Sequence, residues 1–501
     1  MKQNQIKWGV VLSYALIVLN TLYGLLITPF VMHHLGIGNY GVYKTISSMS
    51  ASLAVMDLGL GATMTRYMAR YNATGRKQEA DNFAGMVFVQ YVILAATIGL
   101  MGAGAYKCIA PVYGATFSPE ELILAQRLFV VLVLNLVLRL FENLLVGIAN
   151  GYEQFAVANG IKLISIVMKF SLILILLPLF RNPLLIALLE TGIVSAMIVV
   201  LMGYVIRVIE IRPRLRYWDK GVFRESMGYT VLMFIQTLTI QFNGNIDNIL
   251  VGAELGATSV AVYSMALAIF GMYESLSGAI ANIMLPNMTK RVVEGQSPRE
   301  LQTGVERAGR YQFVLLAAAL GGFTVLGREF FYLWLGLGFE DCYYLTLLLM
   351  IPVTFPMMQN VALSILRAEN KMVYRTVTLM ISCGINAVVT IVGIRTFGYW
   401  GAAIGTACAT MVNLLLMNIY YHRHLGFHVF QLFRNVMRRI WGCAAIASVA
   451  TALFHRAWSG TWISFVGNAV FFLAVYGVLL ILWGLSKDEK IQLFQGILRR
   501  R

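Results

Sequence analysis

The sequence predicts an all-α integral membrane protein with about fourteen transmembrane helices, and three observations support this fold class. Of the 501 residues, 59% are hydrophobic and only 12% are charged, a balance that is not typical of soluble domains. The apolar residues form stretches of roughly 20, the length that an α-helix needs to cross a bilayer. The connections between these stretches are short, so little of the chain remains for a soluble domain.

The predicted spans follow one another along the whole chain. The first is about 25 residues long and lacks a small-residue cleavage site, so it is interpreted as a membrane helix rather than a secretory signal peptide. The spans are 8–33, 39–66, 82–106, 121–148, 155–179, 183–206, 225–252, 258–285, 310–334, 343–366, 373–395, 398–420, 438–455 and 461–484.

The basic residues indicate how the chain is oriented. The net charge is +16, and most Lys and Arg fall in the even-numbered turns and the two tails. By the positive-inside rule this predicts both termini in the cytoplasm. Basic loops at that surface are expected to contact anionic lipid headgroups rather than nucleic acid. The few cations on the opposite side are Lys107, Arg127, Arg181, Arg328, Arg395 and Arg456.

The five cysteines are dispersed and show no spacing typical of metal ligands. Neither a metal site nor a cofactor is therefore predicted. Cys108 and Cys342 both fall near outward loops, which leaves a disulfide between them as an alternative to two free thiols.

Two pairs of segments reveal an internal repeat. HLGIGNYGVY at 34–43 is similar to ELGATSVAVY at 254–263, and the turn ANGYEQF at 149–155 corresponds to AENKMVY at 368–374. The spacing of both pairs predicts two parallel repeats of six helices. Because six is an even number, the repeats have the same orientation in the membrane and are related by a pseudo-twofold axis along its normal, an arrangement common in transporters.

The repeat predicts three parts of the chain. An N-terminal six-helix lobe covers 1–212, and a C-terminal six-helix lobe covers 221–430. Residues 431–501 form two additional helices and a basic cytoplasmic tail.

Four strings carry a resemblance to a known family: LGIGNYGVY at 35–43, DLGLGATMTRYMARY at 57–71, IDNILVG at 246–252 and GYWGAAIGT at 398–406. With the length and the twelve-plus-two helices, they resemble bacterial polysaccharide flippases of the multidrug/oligosaccharidyl-lipid/polysaccharide exporter (MOP) superfamily. The resemblance implies a transporter that moves an undecaprenyl-diphosphate-linked oligosaccharide from the inner to the outer leaflet by alternating access. It also implies contact with membrane lipids and with polysaccharide assembly enzymes.

Cations in the fifth span are candidates for substrate binding. A charge inside a membrane helix costs about 2.5 to 3.5 kcal/mol on insertion scales and usually faces a bundle interior or a cavity. Lys162 and Lys169 are seven residues apart on one helix face, with Asn159 one turn earlier. Such a stripe could bind a phosphate headgroup. Alternatively, the lysines pair with carboxylates on neighbouring helices, or Lys162 extends to the interface.

A second polar face occurs in the fourth span. Asn135, Arg139 and Glu142 are spaced by four and then three residues, which places their side chains together. Arg139 could contact the diphosphate, whereas a local ion pair with Glu142 would make it a weaker anion receptor.

Other polar residues lie on helices expected to flank the opening between the halves. Lys44 and Asp57 are in the second span, and Glu274 is in the eighth. Lys44 is a further candidate for the cationic cavity, but its position near the outward end favours an interfacial role. Asp57 and Glu274, together with Glu142, are candidates for gating or coupling.

The segment FNGNIDNILVG in the seventh span also needs an explanation. Asn243, Asn245 and Asp247 are gate or coupling candidates, since 1.5 Å per residue places Asp247 in the outer half of the membrane. Ile27 occupies the equivalent position of the first repeat, so the shared scaffold does not require this carboxylate. A structural polar contact, an outer gate pair and a site for a coupling cation or proton remain open.

Pro352 and Pro356 are expected to bend the tenth span, as a hinge or as a static kink. The small residues of GYWGAAIGTACAT, at 398–410, predict close helix packing.

Two other functions were weighed. A cation-coupled multidrug exporter of the same superfamily would be expected to use acids rather than lysines in its lobes. A membrane polysaccharide polymerase or glycosyltransferase needs a catalytic loop, and the sequence has only short outward loops without an acidic or His-rich cluster. The sequence therefore favours a flippase that is not an enzyme.

Overall fold

A computed structural model describes residues 2–53, 60–214, 220–369, 371–486 and 489–490. All regular secondary structure in these residues is helical, which confirms the predicted all-α class. Each of the fourteen predicted spans falls on one helix or on two helices in series.

The helices of the first half follow the predicted spans. They are α1 (Lys2–Leu35), α2 (Ile37–Leu53), α3 (Leu60–Thr74), α4 (Lys77–Tyr113), α5 (Pro119–Gly151), α6 (Phe155–Phe180), α7 (Pro183–Tyr204) and α8 (Lys220–Leu255).

Among the described residues, the second half contains nine α-helices. They are α9 (Ala257–Val293), α10 (Pro298–Leu335), α11 (Glu340–Met358), α12 (Ala362–Ala368), α13 (Met372–Phe397), α14 (Tyr399–Leu425), α15 (Val429–Met437), α16 (Ile440–Ala457) and α17 (Trp462–Leu479).

Eleven helices in the described part of the chain are long and apolar enough to cross a membrane. Many of their large apolar side chains are exposed, for example Leu100 and Val199. In water such exposure would be costly, whereas in lipid it places hydrocarbon against hydrocarbon. The protein is therefore a multi-pass membrane protein.

The chain divides into two compact units, Met1–Ala261 and Val262–Arg501. In the first unit, α3, α4 and α5 surround a core in which the rings of Tyr67 and Phe83 stack with centroids 4.5 Å apart. In the second unit, α10, α11, α14, α16 and α17 contribute to a core that includes Phe313 and Phe472. The division into 1–212, 221–430 and 431–501 stays a prediction.

The pair α13 and α14 shows why small residues are needed in the second unit. A Cβ atom added at Gly401 would lie 2.0 Å from the carbonyl carbon of Gly393, which is far inside van der Waals contact. The two backbones approach closely because neither residue has a side chain. This geometry confirms the close packing predicted for GYWGAAIGTACAT.

The proline-containing span is broken rather than only bent. Pro352 and Pro356 lie inside α11, which ends at Met358, and α12 begins at Ala362. Prolines remove backbone donors and clash with the turn before them, whereas this break comes after both prolines. The role of this break as a hinge stays a prediction.

The hypothesis of a disulfide is wrong, because all five cysteines are free thiols. Cys108 is exposed in the first unit. Cys342 is buried in the second, where its Sγ donates to the carbonyl oxygen of Val262 at 3.3 Å.

Arg310 of α10 holds the end of the second unit together. Its guanidinium pairs with Glu489, with Nε 2.7 Å from Oε1 and Nη2 3.1 Å from Oε2. The remaining donors reach the carbonyl oxygens of Asn435 at 2.9 Å and Gly484 at 3.1 Å. One side chain thus joins α10 to α15 and to the segment that follows α17.

We expect Glu489→Gln to lower the free energy of unfolding of the second unit by about 1 to 3 kcal/mol at pH 7, the usual range for hydrogen bonds to charged groups. Burial opposes ionisation of Glu489, but the bonds from Arg310 and from the Ser486 N–H outweigh it and hold its pKa below the ordinary value. The stabilisation is therefore present above the ordinary pKa, about 4.3, and is lost as the pH falls through the lowered pKa.

Thermal unfolding in mild detergent, followed by tryptophan fluorescence at several pH values, measures this effect. Glu294→Gln is the matched control, because its pair with Lys290 is 3.6 Å long and exposed. Equal stability of the Glu489 variant and the wild type at pH 7 would show that the pair does not stabilise this unit.

Candidate functional site

The first unit contains a cavity of about 380 Å³. It lies between α1, α5, α6 and α7, and both polar and apolar side chains line its wall. The lining residues are Leu16, Asn20, Tyr23, Arg139, Glu142, Asn143, Lys162, Ser165, Ile166, Lys169, Glu190, Ile193, Val194 and Met197.

Glu190 of α7 joins two cations from two other helices. Its Oε2 lies 2.7 Å from Nζ of Lys169 on α6, and its Oε1 lies 2.6 Å from Nη2 of Arg139 on α5. Both carboxylate oxygens are thus used in charge-assisted hydrogen bonds. The three groups form one network on the cavity wall.

Arg139 is held in place by side chains behind it. Its Nε donates to Oδ1 of Asn135 at 3.0 Å, and Asn135 in turn donates to Thr191 at 3.4 Å. Glu142 lies 3.9 Å from Nη1 of Arg139, a longer contact than the one to Glu190. The side chain of Arg139 still has 46% of its surface exposed, and it lines the cavity.

An aromatic ring lies beside the network. Nζ of Lys169 is 5.5 Å from the ring centroid of Tyr23 on α1, within the range of a cation–π interaction. Tyr23 packs edge-on against Phe170, with centroids 6.2 Å apart. The contacts of Lys169 thus connect α6 to α1 as well as to α7.

The side chains that line the cavity include more cations than carboxylates. Its lining includes Lys162, Lys169 and Arg139 against Glu142 and Glu190, three cations and two carboxylates. Lys162 has no ion pair within the described residues. An anionic group entering the cavity therefore meets one uncompensated lysine and two cations that share a carboxylate.

The predicted stripe on α6 is present in part. Lys162 and Lys169 line the same cavity, as their spacing implied, whereas Asn159 and Asn135 are not among the described residues that line it. Asn135 instead positions Arg139. The sequence left open whether these lysines pair with a carboxylate on a neighbouring helix. Lys169 does so, with Glu190 of α7.

The remaining cationic candidate, Lys44, lies elsewhere. Its Nζ is 5.4 Å from the ring centroid of Tyr40, one turn away on α2. It is not among the described residues that line the cavity.

The polar segment of α8 is also outside the described cavity lining. Asp247 is buried with 3% of its surface exposed. Asn248 donates to Oγ of Ser48 on α2 at 3.0 Å, and Asn245 donates to the carbonyl oxygen of Gln241 in its own helix at 2.8 Å. Two of the asparagines thus make hydrogen bonds, one to a neighbouring helix and one within α8.

The other gate or coupling candidates are on different elements of the chain. Asn243 is partly buried on α8, and Glu274 is exposed on α9 in the second unit. Asp57 lies outside the described residues. Only Glu142 of this group lines the cavity among the residues described.

Sequence reasoning missed Glu190, although a signal was present. It is the single charged residue in 183–206, and the cost of burying an unpaired carboxylate requires a cation nearby. The turn at Arg181 and Asn182 makes α6 and α7 antiparallel neighbours, with Asn182 capping α7. A search for pairs across that short hairpin would have connected Glu190 with Lys169.

Comparisons with solved structures identify the fold. The structure is similar to that of the lipid II flippase MurJ in an inward closed conformation, with a TM-score of 0.71 and 13% identity over 95% of this chain and 98% of the other. An inward-facing multidrug resistance MATE family transporter of the MOP superfamily matches with a TM-score of 0.68 and 16% identity, over 83% and 95% of the two chains. At such identities the likeness concerns the fold. The protein is a flippase of the MOP superfamily.

The sequence profile described as lipid II flippase MurJ matches residues 58–473, and the chain belongs to this family. A relative described as the uncharacterized membrane protein EpsK of Bacillus subtilis (strain 168) is 20% identical over 490 residues, 92% of each chain. Membership in this family confirms the predicted superfamily, and it confirms a transporter rather than an enzyme.

We expect Lys169 and Glu190 to be energetically coupled. In a double-mutant cycle of Lys169→Met and Glu190→Gln, the coupling should be about 1 to 3 kcal/mol in the free energy of unfolding, because the pair is short and partly buried. The matched cycle at Arg328 and Glu340, a 2.7 Å pair that is exposed, should give about 0.5 kcal/mol or less. Equal coupling in the two cycles would exclude a special role for burial at Glu190.

Proposed function

We propose that this protein moves an undecaprenyl-diphosphate-linked oligosaccharide from the inner to the outer leaflet of a bacterial plasma membrane by alternating access. The observation that carries this proposal is the cationic cavity of the first unit, where Lys162, Lys169 and Arg139 line one wall. The cargo has a diphosphate that must cross about 30 Å of hydrocarbon. A cation-lined wall offsets the cost of removing that charge from water.

Each cation would have a distinct role. Lys162, which has no ion pair in the described residues, would meet the incoming diphosphate first. Arg139 and Lys169 would then exchange the carboxylate of Glu190 for phosphate oxygens. Arginine offers a planar pair of donors, and lysine a point charge. Glu190 would thus keep two cations oriented when the cavity is empty.

The supporting residues position these groups. Asn135 fixes the guanidinium of Arg139, and Tyr23 lies beside the ammonium of Lys169. Asn159, one turn before Lys162 on α6, could contact the sugar. No bond is made or broken in this transfer, and the prenyl tail would remain in the lipid.

The family description supports a lipid-linked cargo, because it names lipid II as the substrate of MurJ. Polysaccharide assembly enzymes are proposed partners, as sources of the cargo. Asp247, Asn243, Asn245, Asp57 and Glu274 remain proposed gate or coupling residues, and Lys44 a proposed interfacial cation.

Coupled export of cationic drugs is the second candidate function. The likeness to a MATE transporter and the carboxylates of Glu142 and Glu190 in the cavity favour it. The cations outnumber these acids, however, and both oxygens of Glu190 are already bonded to cations. The charge of the cavity therefore favours an anionic cargo.

Lys169→Ala should abolish transport while the protein remains in the membrane, and Lys169→Arg should retain part of the activity because the charge is kept. Lys169→Met removes the charge but keeps an unbranched side chain, so it separates the effect of charge from the effect of packing. The measurement is exposure of labelled lipid-linked oligosaccharide on reconstituted vesicles to an external glycan-modifying enzyme. Lys290→Ala removes an exposed lysine of the second unit and serves as the matched control.

Normal transport by the Lys169→Met variant would contradict headgroup binding by this lysine. Vesicles that never expose the oligosaccharide, but extrude cationic drugs under an ion gradient, would replace the flippase proposal with the drug-exporter one. In cells, loss of the protein should cause lipid-linked oligosaccharide to accumulate in the inner leaflet.

The proposed orientation predicts opposite labelling at the two ends of α10. A cysteine at Gln296, in the turn before α10, should react only from the cytoplasm. One at Leu337, exposed in the turn after it, should react with an impermeant reagent on intact cells. A background without the five native cysteines is needed, and the reverse labelling pattern would invert the topology.

A further inference from the structure

A short amphipathic helix, α15, lies between α14 and α16 in the second unit. Leu432 and Val436 are buried on its inner face. On the other face Phe430 has 83% of its surface exposed, and Arg434 one turn later is also exposed. A helix with an apolar residue beside cations on its open face is typical of segments that lie in the plane of the membrane interface.

Two consecutive arginines follow this helix. Arg438 ends α15, and Arg439, with a left-handed φ of 67°, precedes α16. They border a cavity of about 260 Å³, several times the volume of a water molecule, about 30 Å³ in the liquid. The described residues that line it are Arg310, Asn435, Arg438, Arg439, Gly484 and Ser486.

The carboxylate of Glu489 does not neutralise the charge of these two arginines. Both oxygens of Glu489 bond to Arg310, and Oε2 also accepts from the Ser486 N–H at 2.7 Å. Within the described residues, the side chains of Arg438 and Arg439 make neither an ion pair nor a hydrogen bond. Among the described residues, these two exposed arginines of the cavity therefore have no counter-ion.

Exposed tryptophans show which phase this cavity faces. Trp441, at the start of α16, and Trp483, in the π-helical turn after α17, have 52% and 46% of their surface exposed. Trp is enriched where hydrocarbon meets headgroups. Arg439 is two residues before Trp441, and Gly484 directly follows Trp483, so we expect this cavity to lie at the interface, where lipid headgroups supply the anions.

We propose that Arg438 and Arg439 bind the phosphodiester headgroup of an anionic phospholipid, with Phe430 inserted at the acyl boundary. Guanidinium groups match phosphate oxygens through paired donors. The site lies wholly within the second unit and does not depend on the cargo proposed above. Bound lipid would connect the short helix α15 to the bilayer.

The experiment titrates the purified full-length protein in mild detergent with short-chain phosphatidylglycerol and measures the Kd by thermophoresis. The double variant Arg438→Gln/Arg439→Gln should bind on the order of 30-fold more weakly, since each basic residue near a membrane surface contributes about 1 kcal/mol. The double lysine variant should keep part of the affinity. Arg299→Gln/Arg423→Gln, which removes two exposed arginines outside this cavity, should bind like the wild type.

Other outcomes overturn the proposal. Equal loss in the control variant would mean a general basic surface, and equal binding of phosphatidylcholine would remove the role of headgroup charge. Binding of inorganic phosphate as tight as that of phosphatidylglycerol would indicate a free-anion site. The unfolding temperature without lipid checks folding. If the double variant does not fold, Arg438→Gln alone should weaken binding on the order of fivefold.

Discussion

A carboxylate shared by two cations is the interaction on which the cavity of the first unit depends. In hydrocarbon each ionised group needs a partner, and Glu190 provides one to Lys169 and to Arg139 at 2.7 and 2.6 Å. Because these residues come from three helices, the same contacts fix how α5, α6 and α7 are rotated about their axes. Charge pairing thus defines both the shape of the cavity wall and the position of its cations.

The fold class and part of the site follow from local sequence rules. Apolar run lengths placed the helices, and helical spacing placed Lys162 and Lys169 on one face. The partner of Lys169 could not be derived in that way, because it depends on which face of α7 turns toward α6. The same limit applies to Asn135, which was expected to contact substrate and instead holds Arg139. Helix α15 was too short and too polar for any predicted span.

The asparagines of α8 show how polar residues are tolerated in an apolar chain. Asn248 donates to Ser48 on α2, and Asn245 donates to the backbone of its own helix. Interhelical bonds of this kind contribute about 0.6 kcal/mol on average in a membrane. These bonds therefore add little stability, and their main effect is to fix the register of α8 against α2. A shift of α8 by one residue would separate Asn248 from Ser48. Asp247 is buried and directly precedes Asn248, so the same contact fixes its position along α8.

The contact between Gly393 and Gly401 limits how the second unit can move. Two backbones that meet without intervening side chains leave no space in which one helix can slide along the other. We therefore expect α13 and α14 to move together as one pair of helices. A conformational change in this unit would then take place outside this pair of helices. The break between α11 and α12 is one place where the helix is interrupted and the backbone can change its angles.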